Sequence, residues 1–398
     1  MENLTTRRNL LRIAAAVTAA SYARIQGAND RLAMSIIGAG RRARDVSRAL
    51  IATNRVDIIG LCDVYDEQRT NTREALGLTK KPQEFGQHQF ALSQGGLDAV
   101  LIATPDHLHL DIAQDALKAR KHVYLEKPAV HKFEEGNALL RASKASDRVM
   151  FVGTQQRSGG HYRRAKQEIF DQGKLGKVLF VRANWSNFPW QARKVPNDAK
   201  PPTLDWPRFL GRAPYHEWQK ARYESWRTFP DYGGGVFADI LNHWADVAQW
   251  MMDDAHPLDA VSSGGVYLAQ DGRGNPDTVN AIVRYSKGWN LSFESTVQTI
   301  ASPRPSVEFL GTEGTLDIAR TDYLFRPHKG EPIQVKAEEA LELSHARNFV
   351  QACTTGSKPS AGIEEGLAGL LPCHMARAAY WTGNRARYDA ERELIITS

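Results

Sequence analysis

This 398-residue sequence predicts an α/β chain of two domains. The first is a parallel sheet covered by helices on both faces, and the second an α/β domain on an open, mainly antiparallel sheet. Three observations lead there. The chain is long for a single hydrophobic core. Up to about Thr154, continuous apolar runs alternate with segments of helical periodicity, the pattern of strands buried on both faces. Beyond it, strand-like runs follow one another across tight turns with no helix between, which marks antiparallel pairing.

The first-domain strands are "LAMSIIGAG", "RVDIIGLCDV", "LDAVLIATP", "HVYLE" and "VMFVGT", with helices over "RARDVSRALIAT", "HLHLDIAQDALKA" and "EEGNALLRASKAS". Residues 185–232 are rich in Trp, Pro, Arg and Tyr, and "PWQARKVPNDAKPP" is a long loop. A helix over about 236–252 precedes the strands "AVSSGGVYLA", "DTVNAIVRYS", "WNLSFESTVQ", "SVEFLGTEG" and "GTLDIA". Two helices around "TTGSKPSAG" close the chain. The boundaries follow as 1–30, 31–154 and 155–398.

The formal charge of +6 forms no basic stripe with interleaved aromatics, so nucleic acid is not an expected partner. Three cysteines, Cys62, Cys353 and Cys373, are too scattered for a disulfide framework or a zinc knuckle. At the N-terminus Arg7 and Arg8 precede a mildly apolar run from Ile13 to Ala20, with small residues Ser21 and Ala23 after it. The run is too short to span a bilayer. It fits a twin-arginine export signal, so the mature chain is expected outside the cytoplasm with no membrane span.

Gly38, Gly40 and Ala43 form G-x-G-x-x-A between a strand and a helix. The first glycine permits a tight turn, the second lets backbone approach a pyrophosphate, and the small third residue lets helix and strand pack. The helix N-terminus then faces the phosphates with unpaired N–H groups. Asp63 ends the next strand, where a carboxylate accepts from a ribose 2′-OH and repels a 2′-phosphate. A Rossmann domain binding NAD is therefore expected, with Arg41 and Arg42 keeping NADP as the lesser option. Thr104, Pro105 and His109 belong to the same cofactor end. His107 and His109 do not form a metal pair, because residues two apart point in different directions on a helix; no metal is expected.

The G-x-G-x-x-A motif, the run "ATPDHLHLDIAQDALKARKHVYLEKP" and "GGGVFADILNH" together resemble the Gfo/Idh/MocA family of oxidoreductases over nearly the whole chain after the leader. The resemblance implies a Rossmann domain, a second domain on an open sheet, and hydride exchange between NAD or NADP and a sugar or cyclitol carbon. It makes Lys127, in "EKP", part of the catalytic machinery, with Glu126 helping to place the cofactor. It makes Asp239 and His243, four apart on one helix face, the residues that hold and deprotonate the substrate hydroxyl.

From the residues themselves, Asp246 is a partner to orient the His243 imidazole, and Arg157, Tyr162, Trp226 and Arg227 are candidates for holding substrate hydroxyls. The expected activity is NAD(P)-dependent transfer of hydride to or from a secondary alcohol of a sugar or polyol, with Lys127 and His243 handling the proton. Two alternatives stand beside it. One is a redox-neutral, NAD-dependent glycosidase, and the other a non-catalytic sugar-binding protein that keeps NAD as a structural part. The exposed face of a large open sheet favours a homo-oligomer.

Overall fold

The computed structural model describes residues 31–78, 80–187, 195–299 and 304–398. Residues 1–30, where the export signal is expected, part of the long loop (189–194) and a stretch just before the strand at 306 lie outside the described residues.

The first sheet holds β1 (Leu32–Ile37), β2 (Val56–Cys62), β3 (Gln83–Phe85), β4 (Ala99–Ile102), β5 (His122–Leu125) and β6 (Met150–Val152). Its order is β3-β2-β1-β4-β5-β6, and every pair is parallel. β4 is buried along its whole length, which is why these strands are continuously apolar rather than alternating. The order reverses between β1 and β4, and the helix α1 (Arg41–Ala52) leaves β1 beside that crevice. β3 is too short for its pattern to stand out in the sequence.

The second sheet holds β7 (Val178–Asn184), β8 (Pro257–Gly265), β9 (Thr278–Tyr285), β10 (Asn290–Thr296), β11 (Ser306–Gly311), β12 (Gly314–Ala319), β13 (Asp322–Pro327), β14 (Ile333–Lys336), β15 (Ala386–Asp389) and β16 (Leu394–Thr397). Its order is β14-β13-β12-β11-β7-β10-β9-β8-β15-β16. All neighbours are antiparallel except β7 and β10. The strand reading stopped at "GTLDIA" and did not begin until residue 260, so it missed β7, in the interior of the sheet, and the rim strands β13 to β16. In β9 the burial alternates strictly, one face on the core and one in solvent.

Three helices join the domains. The chain makes a wide π-type turn over Phe237–Leu241 and continues as α2 (Asn242–Met252). α3 (Leu341–Thr355) and α4 (Ile363–Thr382) follow the second sheet. α3 does not stay with the second domain, although the boundary drawn at 155 assigns it there. Its Ala346, Phe349 and Val350 pack with Met34, Ile36 and Tyr124 of the first sheet, because that face would otherwise be left uncovered.

Candidate active site

A cavity of about 870 Å³ opens at the carboxyl ends of β1, β2 and β4. Gly38, Gly40, Arg41, Asp63, Thr104 and Pro105 line it, as do Trp226 and Arg227 from the second domain. Gly38 has φ +85°, and a side chain there would stand 2.6 Å from the backbone nitrogen of Thr104. Nothing lies within 4 Å of where a Gly40 side chain would be, so the N-terminus of α1 is open to the cavity. Ala43 is fully buried against the sheet. The Asp63 carboxylate accepts from the Ala39 N–H at 2.8 Å and from the Tyr65 N–H at 2.9 Å. Burial pushes its pKa up to about 6 against those bonds, so it is ionised at pH 7 with lone pairs left for ribose hydroxyls. The Thr104 hydroxyl is buried with no partner among the described residues. A volume of this size, a glycine cradle, an orphan hydroxyl and an anchored carboxylate fit a dinucleotide.

The neighbouring cluster is assembled across the two domains. Lys127 follows β5 at a cis Lys127–Pro128 bond, and its Nζ donates to the Asp239 carbonyl at 2.9 Å and to the Asp239 carboxylate. Arg227 approaches the other oxygen of that carboxylate at 3.4 Å, its guanidinium stacked 4.1 Å over the Trp226 ring. Lys127, Asp239 and His243 do not line the cavity wall; Arg227 connects the two. His243 is buried, with Nδ1 3.2 Å from Gln156 Oε1 and the Trp185 ring at 5.4 Å. Burial first, then the positive charges of Lys127, Arg320 and Arg42, hold its pKa well below the ordinary histidine value. The ring is neutral at pH 7. Since a carboxamide oxygen only accepts, Nδ1 carries the proton and Nε2 keeps its lone pair for a substrate.

Several expectations are placed elsewhere. Asp246 does not orient His243: it bonds Arg157 Nε at 2.7 Å, with the carboxylate buried and the arginine side chain 11% exposed. Arg157 is thereby a structural cation, lying also 5.6 Å from the Trp250 ring, rather than a free substrate ligand. Tyr162 is fully buried in the short helix Gly160–Ala165 and faces the core, out of reach of a substrate. His109 faces Pro128 O at 2.7 Å and Thr104 O at 3.0 Å; it ties two strand-end segments together instead of touching a cofactor. Arg42 lies about 100° round α1 from Arg41. It therefore turns from the cavity to pair with Glu126 at 2.9 Å and Glu342 at 3.6 Å, and neither Arg42 nor Glu126 lines the cavity wall.

Three polar or aromatic contributors went unread in the sequence. Gln156 follows β6, Asp106 follows β4, and Trp185 follows β7. For Asp106 and Gln156 the available signal is position, since polar residues just past the carboxyl ends of parallel strands face the ligand crevice; Trp185 follows a strand of the mainly antiparallel sheet and carries no such signal. Among the described residues no group of three or more His, Cys, Asp or Glu could hold a metal ion.

Residues 32–154 match the GFO_IDH_MocA family, described as an oxidoreductase family with an NAD-binding Rossmann fold, and residues 208–317 match the GFO/IDH/MocA C-terminal domain. A myo-inositol 2-dehydrogenase of Thermotoga maritima is 21% identical over 356 residues, covering 86% of this chain and 95% of its own. Among solved structures, the WlbA dehydrogenase of Bordetella pertussis, in complex with NADH and UDP-GlcNAcA, superposes with a TM-score of 0.68 at 20% identity over 90% of this chain and 99% of its own. Levoglucosan dehydrogenase, in complex with NADH and levoglucosan, superposes with a TM-score of 0.71 at 18% identity over 92% of this chain and 99% of its own. With both domains matched over more than half its length and a dinucleotide cradle in place, this chain belongs to the Gfo/Idh/MocA family of NAD-binding oxidoreductases.

Proposed function

We propose that the enzyme oxidises or reduces a secondary alcohol carbon of a sugar or polyol, with Lys127 and His243 handling the proton. The observation that carries this reading is the bond from Lys127 to Asp239 across the two domains, beside a neutral His243 and next to the dinucleotide cavity. NAD held there supplies a hydride acceptor for the carbinol carbon. The chain's own groups then have separate tasks. Nε2 of neutral His243 accepts the hydroxyl proton as the C–H electron pair leaves and the C=O bond forms. The Lys127 ammonium lies beside the developing carbonyl oxygen and stabilises it. Asp239, itself braced by Arg227, holds the lysine in place. In the reverse direction the same groups return the proton. Relatives that carry sugar and cyclitol names support the substrate class.

Paired Arg7 and Arg8 before a short apolar run support export by the twin-arginine route, which carries folded and cofactor-loaded chains. Phe180 and Ile282, 52% and 47% exposed on the outer face of the second sheet, support a homo-oligomer. The deciding experiment denatures purified protein, identifies the released nucleotide, and follows its reduction with a panel of sugars and polyols. Cleavage of nitrophenyl glycosides without net reduction would replace the dehydrogenase with the redox-neutral glycosidase. Inertness toward both panels would leave a sugar-binding role.

A further inference from the structure

We propose that Asp106 is a positioning residue for the Lys127–Asp239 pair, pinning the glycine turn that leads to Asp239 and setting the net charge around the pair by its ionisation. The inference rests on the functional reading above and extends it to a residue outside the catalytic set. Asp106 comes from the first domain, in the turn after β4, and is 4% exposed. Its Oδ2 accepts from the Gly234 N–H of the second domain at 3.2 Å. The same glycine segment is held from the other side by Asn275, whose amide donates to Gly233 O and to Arg227 O, both at 2.9 Å. Next to Asp106, the His107 N–H donates to Tyr232 O at 3.3 Å, and the His107 ring faces Phe209 O at 2.8 Å. The frame therefore fixes Arg227 and the start of the turn that carries Asp239, the two side chains that meet at one carboxylate. Asp106 is the carboxylate of that frame.

The charged groups facing Asp106 are Asp239 from the π-type turn, Arg227, Lys127 and, from α4, Arg377. Burial, then the negative charge of Asp239, pushes its pKa up to about 7, against Arg227, Lys127 and the Gly234 bond. Its charge thus changes near neutral pH, while Asp239 stays clamped between two cations.

Asp106→Asn separates the two roles, since a carboxamide oxygen still accepts from Gly234 but cannot ionise. In wild type, kcat/KM for the sugar or polyol oxidised should bend near pH 7. In Asp106→Asn that bend should vanish, leaving the profile of the low-pH form. Asp106→Ala, which also frees Gly234, should raise the substrate KM several-fold further. A second readout needs no turnover. The acid's folded pKa is raised, so between pH 4 and 7 the unfolded chain has released a proton that the folded chain keeps, and wild-type stability falls as pH rises. The melting temperature of Asp106→Asn relative to wild type should therefore climb from pH 4.5 to 7 and then level. An unchanged bend, or a melting difference that is flat with pH, overturns the proposal. If wild type oxidises no sugar or polyol, the functional reading fails while the melting experiment still judges Asp106.

Discussion

Two ion pairs hang from the same stretch of chain, seven residues apart. Asp239, in the π-type turn, meets Lys127 and Arg227, and those carboxylate and ammonium side chains keep 13% and 10% of their surface exposed. Asp246, in α2, meets Arg157, the acid 1% and the arginine side chain 11% exposed, and among the described residues its Oδ2 is buried and unpartnered. Both are acid–base pairs, the first joining chain on either side of residue 155 and the second joining two segments beyond it, and they do different things. The first has two cations on one acid, a route to the cavity through Arg227, and a neutral imidazole beside it. The second is sealed, and a guanidinium with a planar fork is suited to a fixed site. Proximity of opposite charges therefore does not mark a reacting centre; access and an uncommitted neighbour do.

The comparison can be broken most sharply at Lys127. Lys127→Met should lower kcat by about 10²–10³-fold, the usual share of a preorganised donor at a developing charge, with NAD affinity and melting temperature little changed. Wild-type turnover in that variant would end the assignment. Arg157→Ala should act in the opposite sense, leaving a buried carboxylate without its cation and costing about 3–5 kcal/mol of stability. Denaturant titration reads this, and a variant as stable as wild type would show that the pair is not structural. A smaller effect is expected for Gln156→Leu, which leaves the His243 Nδ1–H unpaired: kcat/KM should fall by about 1–3 kcal/mol in transition-state terms. An unchanged rate would mean that Gln156 does not choose the tautomer. The smallest is a pH effect at the cofactor end. Asp63 has its pKa raised to about 6, so its carboxylate is present above that value and lost below it. NAD affinity should be level above pH 6.5 and weaken as pH falls through 6, a trend that Asp63→Ser should abolish.

Much of the cofactor end was legible because its requirements are local. Gly38 needs positive φ and Ala43 needs to be small whatever surrounds them, and both demands are written in adjacent residues. The second site was legible only in part. Asp239 and His243 stand four apart on a helical stretch, but helical spacing also suggested Asp246 as the partner of His243, and that inference failed. The imidazole turns instead to Gln156, from a segment 87 residues earlier. Likewise Arg42 and Arg41 are neighbours in the chain with different fates, one paired with Glu126 84 residues away and one facing the cavity.

Order along the chain settled the two-layered plan, the dinucleotide turn, and which residue types stand at the strand ends, because turn chemistry and apolar periodicity act over a few residues. Folding decided which acid each cation satisfies, which histidine stays uncommitted, and which hydroxyl or amide is left facing a ligand. Those outcomes depend on burial: a desolvated charge takes whatever counter-charge the opposing element presents, and residues far apart in sequence can meet only once the two sheets and α3 have packed.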